Sequence, residues 1–240
     1  MNNIAEGNLL LAALPHDVYE RLESSMEQVV LPYGQILHHP NETIRDVYFP
    51  CSGLISVTIT MADGNTTEAG AIGNREMVGL NAFMGRRETN QTEYIVQIPG
   101  TGIKIAADPL LKEFDCSKSM RDVMLRYTQA YIAQISQNVA CNRLHVTEKR
   151  CARWLLEASD RTCSDELLLS QEFISHMLGV RRSSVTETAN RLQDKGLIEY
   201  SRKKIKITNR HGLEDSSCEC YHVLKDEYDR LLGLSPKDNN

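Results

Sequence analysis

The chain has 240 residues, 41% of them hydrophobic and 25% charged, with 27 Lys and Arg against 32 Asp and Glu. That balance belongs to a folded globular protein of one large domain or two small ones, and it excludes a disordered or collagen-like chain. No apolar run reaches the roughly 18 residues of a membrane-spanning helix, and the opening MNNIAEGNLLLAAL lacks the basic flank of a secretory signal, so a cytoplasmic protein without a membrane partner is expected.

Residues 15–26, PHDVYERLESSM, read as a short helix with Val18, Leu22 and Met26 in line. Ten of the 14 glycines fall within the first 115 residues, which suggests many short strands joined by turns. LISVTITM (54–61) alternates, with Ile55, Val57, Ile59 and Met61 on one side and Ser56, Thr58 and Thr60 on the other. That pattern is a half-buried strand, and Asp63-Gly64 beyond it is a hairpin turn. TEYIVQI (92–98) is a second strand, stopped by Pro99-Gly100, and further strands are expected around 28–31, 35–38, 45–49, 66–72 and 102–106. Short strands at this spacing predict a sandwich or barrel.

From Ser117 to Asn142 there is neither Gly nor Pro, and a long helix is expected. Met120, Met124, Tyr127, Tyr131, Gln134, Asn138 and Cys141 recur at alternating spacings of four and three, the seam of a two-stranded coiled coil. Leu125, Ile132, Ile135 and Val139 form a second apolar face, which would lie on the β-domain. Thr147 is placed to cap a following helix whose buried stripe is Cys151, Trp154, Leu155 and Ala158.

Positive charge is concentrated in one place. Residues 170–211 carry 9 Lys and Arg against 4 Asp and Glu, whereas residues 1–115 carry 7 against 15. An anionic partner is therefore expected at 170–211. There Ser170 caps a helix 171–178 with Phe173, Ile174, Met177 and Leu178 on one face, and Gly179 supplies a left-handed turn. A second helix runs from Arg182 to Lys195 with the stripe Val185, Ala189 and Leu192. Two strands, LIEYS and KIKIT, then flank the turn Arg202-Lys203-Lys204.

This is a helix-turn-helix followed by a β-wing. Its second helix would bring Arg181, Arg182, Ser183, Ser184, Thr186 and Glu187 to a DNA groove, where an Arg forks onto guanine O6 and N7. Ser170 and Gln171 suit a backbone phosphate at a helix start, and Lys203 and Lys204 suit the neighbouring phosphates.

Seven cysteines (51, 116, 141, 151, 163, 218 and 220) are scattered, odd in number and free of any CxxC pair, so reduced thiols are expected. Cys218, Cys220 and His222 in CECYH could bind a metal or sense oxidation. A loop-to-helix junction with small, half-buried thiols is the preferred reading, and no metal ligand is assigned. No nucleophile–base spacing, phosphate-cradling loop or carboxylate pair speaks for an enzyme.

SQEFISHMLGVRRSSVTETANRLQDKGLIEY and FPCSGLISVTITMADGNTTEAGAIGNREMVGL together make the chain resemble the Crp/Fnr superfamily of bacterial transcription regulators over nearly its whole length. The resemblance implies an α+β fold: a cyclic-nucleotide-binding-like β-roll (a double-stranded β-helix or jelly roll) over 1–116, a dimerisation helix over 117–142, and a winged helix-turn-helix DNA-binding domain over 143–240. It also implies a homodimer on a two-fold symmetric operator and a contact with RNA polymerase.

The departures are equally specific. Where well-known members read DNA with an Arg or Val, a Glu, and an Arg four residues after it, this chain has Arg182, Ser183 and Glu187. Glu76 matches the ribose-binding Glu of the cyclic-nucleotide binders, but 88–96 has no Arg for the phosphate, and Arg86 and Arg87 come early. Cyclic AMP is therefore not the expected effector; the effector is left unidentified, and no cofactor is implied. The first cysteine is Cys51, so an N-terminal iron–sulfur cluster is unsupported, and His38 and His39 read as a surface pair rather than haem ligands. The rival to a DNA-binding regulator is a ligand- or redox-sensing signalling protein that works through protein contacts.

Overall fold

A computed structural model describes residues 7–84, 88, 91–201 and 203–233. Arg86, Arg87, Thr89 and Arg202, all singled out above, lie outside these residues, as does the tail from 234. Two short helices, α1 (Leu9–Ala12) and α2 (His16–Glu23), precede seven antiparallel strands. The strands are β1 (Met26–Leu31), β2 (Ile36–His38), β3 (Asp46–Pro50), β4 (Leu54–Thr60), β5 (Thr66–Ile72), β6 (Thr92–Ile98) and β7 (Gly100–Ala106). They form two sheets, β1-β7-β3 and β2-β6-β4-β5, which close a roll. Its interior is filled by Leu31, Leu37, Ile55, Val57, Ile72, Val78, Tyr94 and Val96. The expected turn after β4 is present: Gly64 has φ +85° and the Asp63 carboxylate accepts from the Asn65 N–H at 3.0 Å.

The strand β4 is not half-buried as its alternation suggested. Leu54 to Thr58 are buried on both faces, because helices from the C-terminal half cover the outer side. Ser56, expected to face water, is fully buried with its hydroxyl 3.7 Å from the Met177 sulfur. His38 also departs from the surface reading. It is buried between Tyr48 and Tyr94, with Nε2 2.8 Å from the Asp46 carbonyl, and burial lowers its pKa.

Helix α3 (Ala107–Cys116), which the sequence did not signal, leads to α4 (Lys118–Leu144). Ser117 caps α4, its hydroxyl accepting from the Met120 N–H at 3.3 Å. The two faces of α4 are exchanged relative to expectation. Met120, Met124, Tyr127 and Gln134 are buried inside the same chain, with Tyr131 half-buried. The Tyr127 hydroxyl donates to the Met77 carbonyl and accepts from the Met77 N–H, each at 3.1 Å. Asn138 donates to the Ala69 carbonyl at 2.9 Å, and Cys141 is buried against Cys218 and Cys220. A side chain spent on its own chain's core cannot also be a knob in a partner. The exposed apolar residues are Leu125, Ile132, Val139 and Leu144.

Helix α5 (Thr147–Thr162) starts at Thr147 with Val146 in the cap position and no side-chain cap, so Thr147 is a first-turn residue rather than the cap. Every residue from Arg150 to Ser159 is buried, since α5 runs between the roll and the remaining helices. Beyond it come β8 (Glu166–Leu167), α6 (Gln171–Leu178), α7 (Arg182–Asp194), β9 (Ile198–Ser201), β10 (Lys204–Ile207), α8 (Arg210–Ser216) and α9 (Cys220–Leu232). The strand order β8-β10-β9 makes a small third sheet. Helix α9 returns along α4: its Tyr228, Leu231 and Leu232 join the core shared by α1, α2, β3, β7 and α4, while Tyr221 joins the core around α5–α7.

Candidate nucleic-acid interface

Helix α6 begins as expected, the Ser170 hydroxyl accepting from the Phe173 N–H at 3.1 Å. Phe173, Ile174, Met177 and Leu178 turn inward, against the core of α5 and α7. Gly179 ends the helix at φ +61° and its N–H returns to the His176 carbonyl at 3.2 Å, which turns the chain sharply into α7. Val185, Ala189 and Leu192 seat α7 on the same core, and Gly196, at φ +69°, closes it. With that stripe inward, helical periodicity must turn the other positions out. Arg181, Arg182, Ser183 and Glu187 are exposed, and Ser184 and Thr186 half so. No side chain caps α7; in its first turn the Ser184 N–H donates to the Arg181 carbonyl at 2.9 Å.

The wing completes the surface. Strands β9 and β10 pair from Ser201↔Lys204 to Ile198↔Ile207, and Lys203, at φ +124°, is exposed at the tip. A groove of about 440 Å³ separates wing from helices, lined by Ser170, Gln171, Glu172, Arg182, Tyr200, Ser201 and Lys203. Within it the Arg182 Nε donates to the Gln171 Oε1 at 3.1 Å, which holds the guanidinium between α6 and the wing. Lys204 is different: its ammonium lies 2.6 Å from the Glu166 carboxylate, so part of its charge is already compensated. Arg191 and Lys195, farther along α7, are paired with Glu148 at 3.7 and 2.5 Å.

Where the roll meets α5, Glu76 does not line an open cavity. It is fully buried, and its carboxylate accepts from the Gly73 N–H at 2.6 Å and from Arg161 of α5, whose Nη2 lies at 3.0 Å and Nε at 3.1 Å. Arg161 also meets Glu157 at 3.1 Å, and Glu157 meets Arg153 at 2.7 Å. With its amide oxygen turned toward Arg161, Gln134 accepts from Nη2 at 2.6 Å and from the Tyr228 hydroxyl at 3.2 Å. The carboxylate expected to receive an effector hydroxyl is thus taken by a guanidinium of the same chain. Arg161 gave no sequence signal, because nothing local distinguishes a buried helical Arg from a solvated one.

An antiparallel β-roll, a long helix and a helix-turn-helix with a wing, in this order, make up the fold that Crp/Fnr-type structures share. The comparisons agree. Residues 149–216 match the family model of a Crp-like helix-turn-helix domain. A search of curated protein sequences finds no match. Among solved structures, the chain is similar to a putative transcriptional regulator of the Crp/Fnr family from Eubacterium rectale, at 19% identity and a TM-score of 0.65, covering 89% of this chain and 97% of that one. FixK2 from Bradyrhizobium japonicum is similar at 15% identity and a TM-score of 0.69, over 80% and 98%. The c-di-GMP-responsive global regulator CLP from Xanthomonas campestris follows at 16% and 0.64, over 80% and 99%. At such identities the likeness establishes the fold. No helix among the described residues is long and apolar enough to cross a membrane.

Proposed function

We propose that the chain is a homodimeric, sequence-specific DNA-binding transcription regulator that performs no catalysis. The observation that carries this reading is the surface formed by α6, α7 and the wing. Arg181, Arg182, Ser183, Ser184, Thr186 and Glu187 project from one helix start into solvent, beside a groove edged by Ser170, Gln171 and Lys203. Arg182 reads a base, with Ser183 and Glu187 as neighbours that set an operator of its own. Ser170, Gln171, Lys203 and, more weakly, Lys204 hold phosphates. In the dimer the two α7 helices lie one DNA turn apart, about 34 Å, on a two-fold symmetric site.

Pairing of two copies runs through the outer face of α4. Leu125, Ile132 and Val139 are spaced by seven residues and are 54%, 59% and 67% exposed, with Gln129 and Ser136 between them at coiled-coil spacing. A second copy of the same helix supplies the matching seam. The roll, the long helix and the winged unit divide the labour as sensing-type scaffold, dimer axis and DNA reader over 1–116, 117–142 and 143–240. RNA polymerase is the partner such a regulator addresses once on DNA.

Two features argue that the roll does not take a cyclic nucleotide. Its interior is occupied by apolar side chains, and Glu76 is neutralised from within the chain. A buried phosphate without a dedicated cation is strongly disfavoured.

Selection of duplexes from a random pool, followed by anisotropy titration at several salt concentrations, tests the reading. It expects a two-fold symmetric site bound by two chains, with affinity falling steeply as salt rises. Binding that shows neither sequence preference nor salt dependence would return the chain to signalling through protein contacts.

A further inference from the structure

Four side chains with metal-ligand chemistry converge where the long helix α4 ends. Cys141 and His145 stand one helical turn apart at its C-terminus; Cys218 and Cys220 come from the junction of α8 and α9. Their donor atoms all lie within 4.8 Å of one another. The sulfurs of Cys141 and Cys218 are 3.6 Å apart, and the Cys220 sulfur is 3.6 Å from His145 Nδ1. In a tetrahedral zinc site with Zn–S near 2.3 Å, neighbouring sulfurs are separated by about 3.8 Å, and a sulfur and a ring nitrogen by slightly less. Both close pairs already have that spacing. His222, grouped with the two cysteines on sequence alone, is exposed and stacks edge-on to Tyr221 instead.

We propose that Cys141, His145, Cys218 and Cys220 bind one zinc ion, ligated by three thiolate sulfurs and His145 Nδ1, which staples the end of α4 to the start of α9.

The surroundings supply what such an ion requires beyond its four ligands. His145 Nε2 lies 3.2 Å from the Glu219 carboxylate, so Nε2 carries the proton and Nδ1 is free for metal. This carboxylate–histidine arrangement orients zinc ligands in general. Gln137 donates an amide N–H to the Cys220 sulfur at 3.1 Å, an interaction that favours thiolate. Three thiolates and a dication leave one negative charge. The buried Arg153 guanidinium, though paired with Glu157 at 2.7 Å, is also attracted to all three cysteine sulfurs as thiolates and offsets part of it. Zinc entry displaces the thiol protons to solvent, so affinity rises with pH until the thiols are ionised. The same donor set is too compact for an iron–sulfur cluster, which must hold several irons and sulfides between its thiolates.

The staple has a clear place in the fold. Cys141 and Cys218 are 77 residues apart, and Val146, immediately after His145, begins the turn into α5. A metal there fixes the corner from which α5 and the winged unit leave the long helix. Its four ligands close all positions, as a structural site does.

The full chain, purified under reducing conditions and stripped of metal by a chelator, is titrated with Co(II) and then with Zn(II). One Co(II) per chain is expected, with sulfur-to-metal charge-transfer bands and the intense visible bands of tetrahedral cobalt, both abolished by one equivalent of Zn(II). Cys141→Ser and Cys218→Ser should weaken binding at least 100-fold, whereas Cys116→Ser, at an exposed cysteine outside the cluster, should leave it unchanged. Glu219→Gln, at an exposed position paired with the His145 ring, should cost about 10–100-fold and guards against loss of folding in the cysteine variants. Absence of stoichiometric Co(II) binding by the wild-type chain, bands that survive loss of Cys141 and Cys218, or a Cys141–Cys218 disulfide in freshly reduced protein that refuses metal would each overturn the proposal. None of these readouts depends on DNA binding.

Discussion

At the scale of single residues, Arg182 and Lys203 are expected to behave differently although both are basic and exposed. Arg182 is held by Gln171 at the start of α7, and its loss in Arg182→Ala should cost about 1–3 kcal/mol on the selected operator and relax preference at one base pair. Lys203→Ala should weaken specific and random duplexes alike and reduce the salt slope by about 1. Lys204→Ala should do less, because Glu166 already compensates its charge. Equal binding by Arg182→Ala and wild type, measured by anisotropy, would rule out the assigned helix orientation. Glu68 offers a separate test. Burial, only partly offset by hydrogen bonds with Ser56 and Trp154, pushes its carboxyl from 4.5 up to about 8. The folded state then holds a proton that the unfolded chain releases. Its contribution is complete below pH 4.5 and is lost as pH rises toward 8, by up to about 1.4 kcal/mol per pH unit. Glu68→Gln should flatten the fall of denaturation midpoint between pH 5 and 8; an unchanged profile would refute the assignment.

At the scale of elements, α4 carries two apolar faces with different duties. The inner one, with Met120, Met124 and Tyr127, is core, and the outer one, with Leu125, Ile132 and Val139, is exposed. Leu125→Asp with Ile132→Asp should yield folded monomers with native circular dichroism, half the mass by light scattering, and little specific DNA affinity. Tyr127→Asp should instead destabilise the fold itself, because it buries a charge and orphans both bonds to Met77. A doubly substituted outer face that remained dimeric would move the interface elsewhere. Helix α6 shows a similar economy: its apolar side serves the winged core, while its Met177 also touches Ser56 of β4.

At the scale of the whole molecule, the roll and the C-terminal half are joined by a buried ionic chain from Glu76 through Arg161 and Glu157 to Arg153. Gly73 makes this approach possible, since a Cβ there would stand 2.4 Å from that of Arg161. Arg161→Ala leaves Glu76 and Glu157 without their shared cation, and denaturant unfolding should show a loss of about 3–5 kcal/mol. A change below about 1 kcal/mol would mean that the network is not closed in solution. Calorimetric titration of the wild-type chain with cyclic AMP and cyclic GMP should show no saturable heat at micromolar concentration. Saturable binding would require Arg161 to release Glu76 and would overturn this account of the roll.

The sequence by itself determined the strands, the long helix and the winged helix-turn-helix, because each is encoded by local periodicity, a capping serine and turn glycines. Ser170, Gly179 and Gly196 stand where local rules place them, and the strands of the roll fall within a few residues of their expected limits. Resemblance to a known family added the order of these parts. Tertiary structure alone decided which side of each element is inside. The four–three spacing of Met120 to Cys141 is the same whether the partner is a second chain or α9 of the same one, and a helix start expected near Cys218 and Cys220 did not say that this helix returns along α4. Glu76 keeps its place in the sequence pattern but not its freedom, since Arg161 reaches it from 85 residues away. The cysteine–histidine cluster was half hidden for the same reason: CECYH set Cys218 beside Cys220, but it pointed to His222, and only folding brings in Cys141 and His145 from the end of α4. Periodicity reports that a face is apolar or a ligand is present, and only long-range packing supplies the other side.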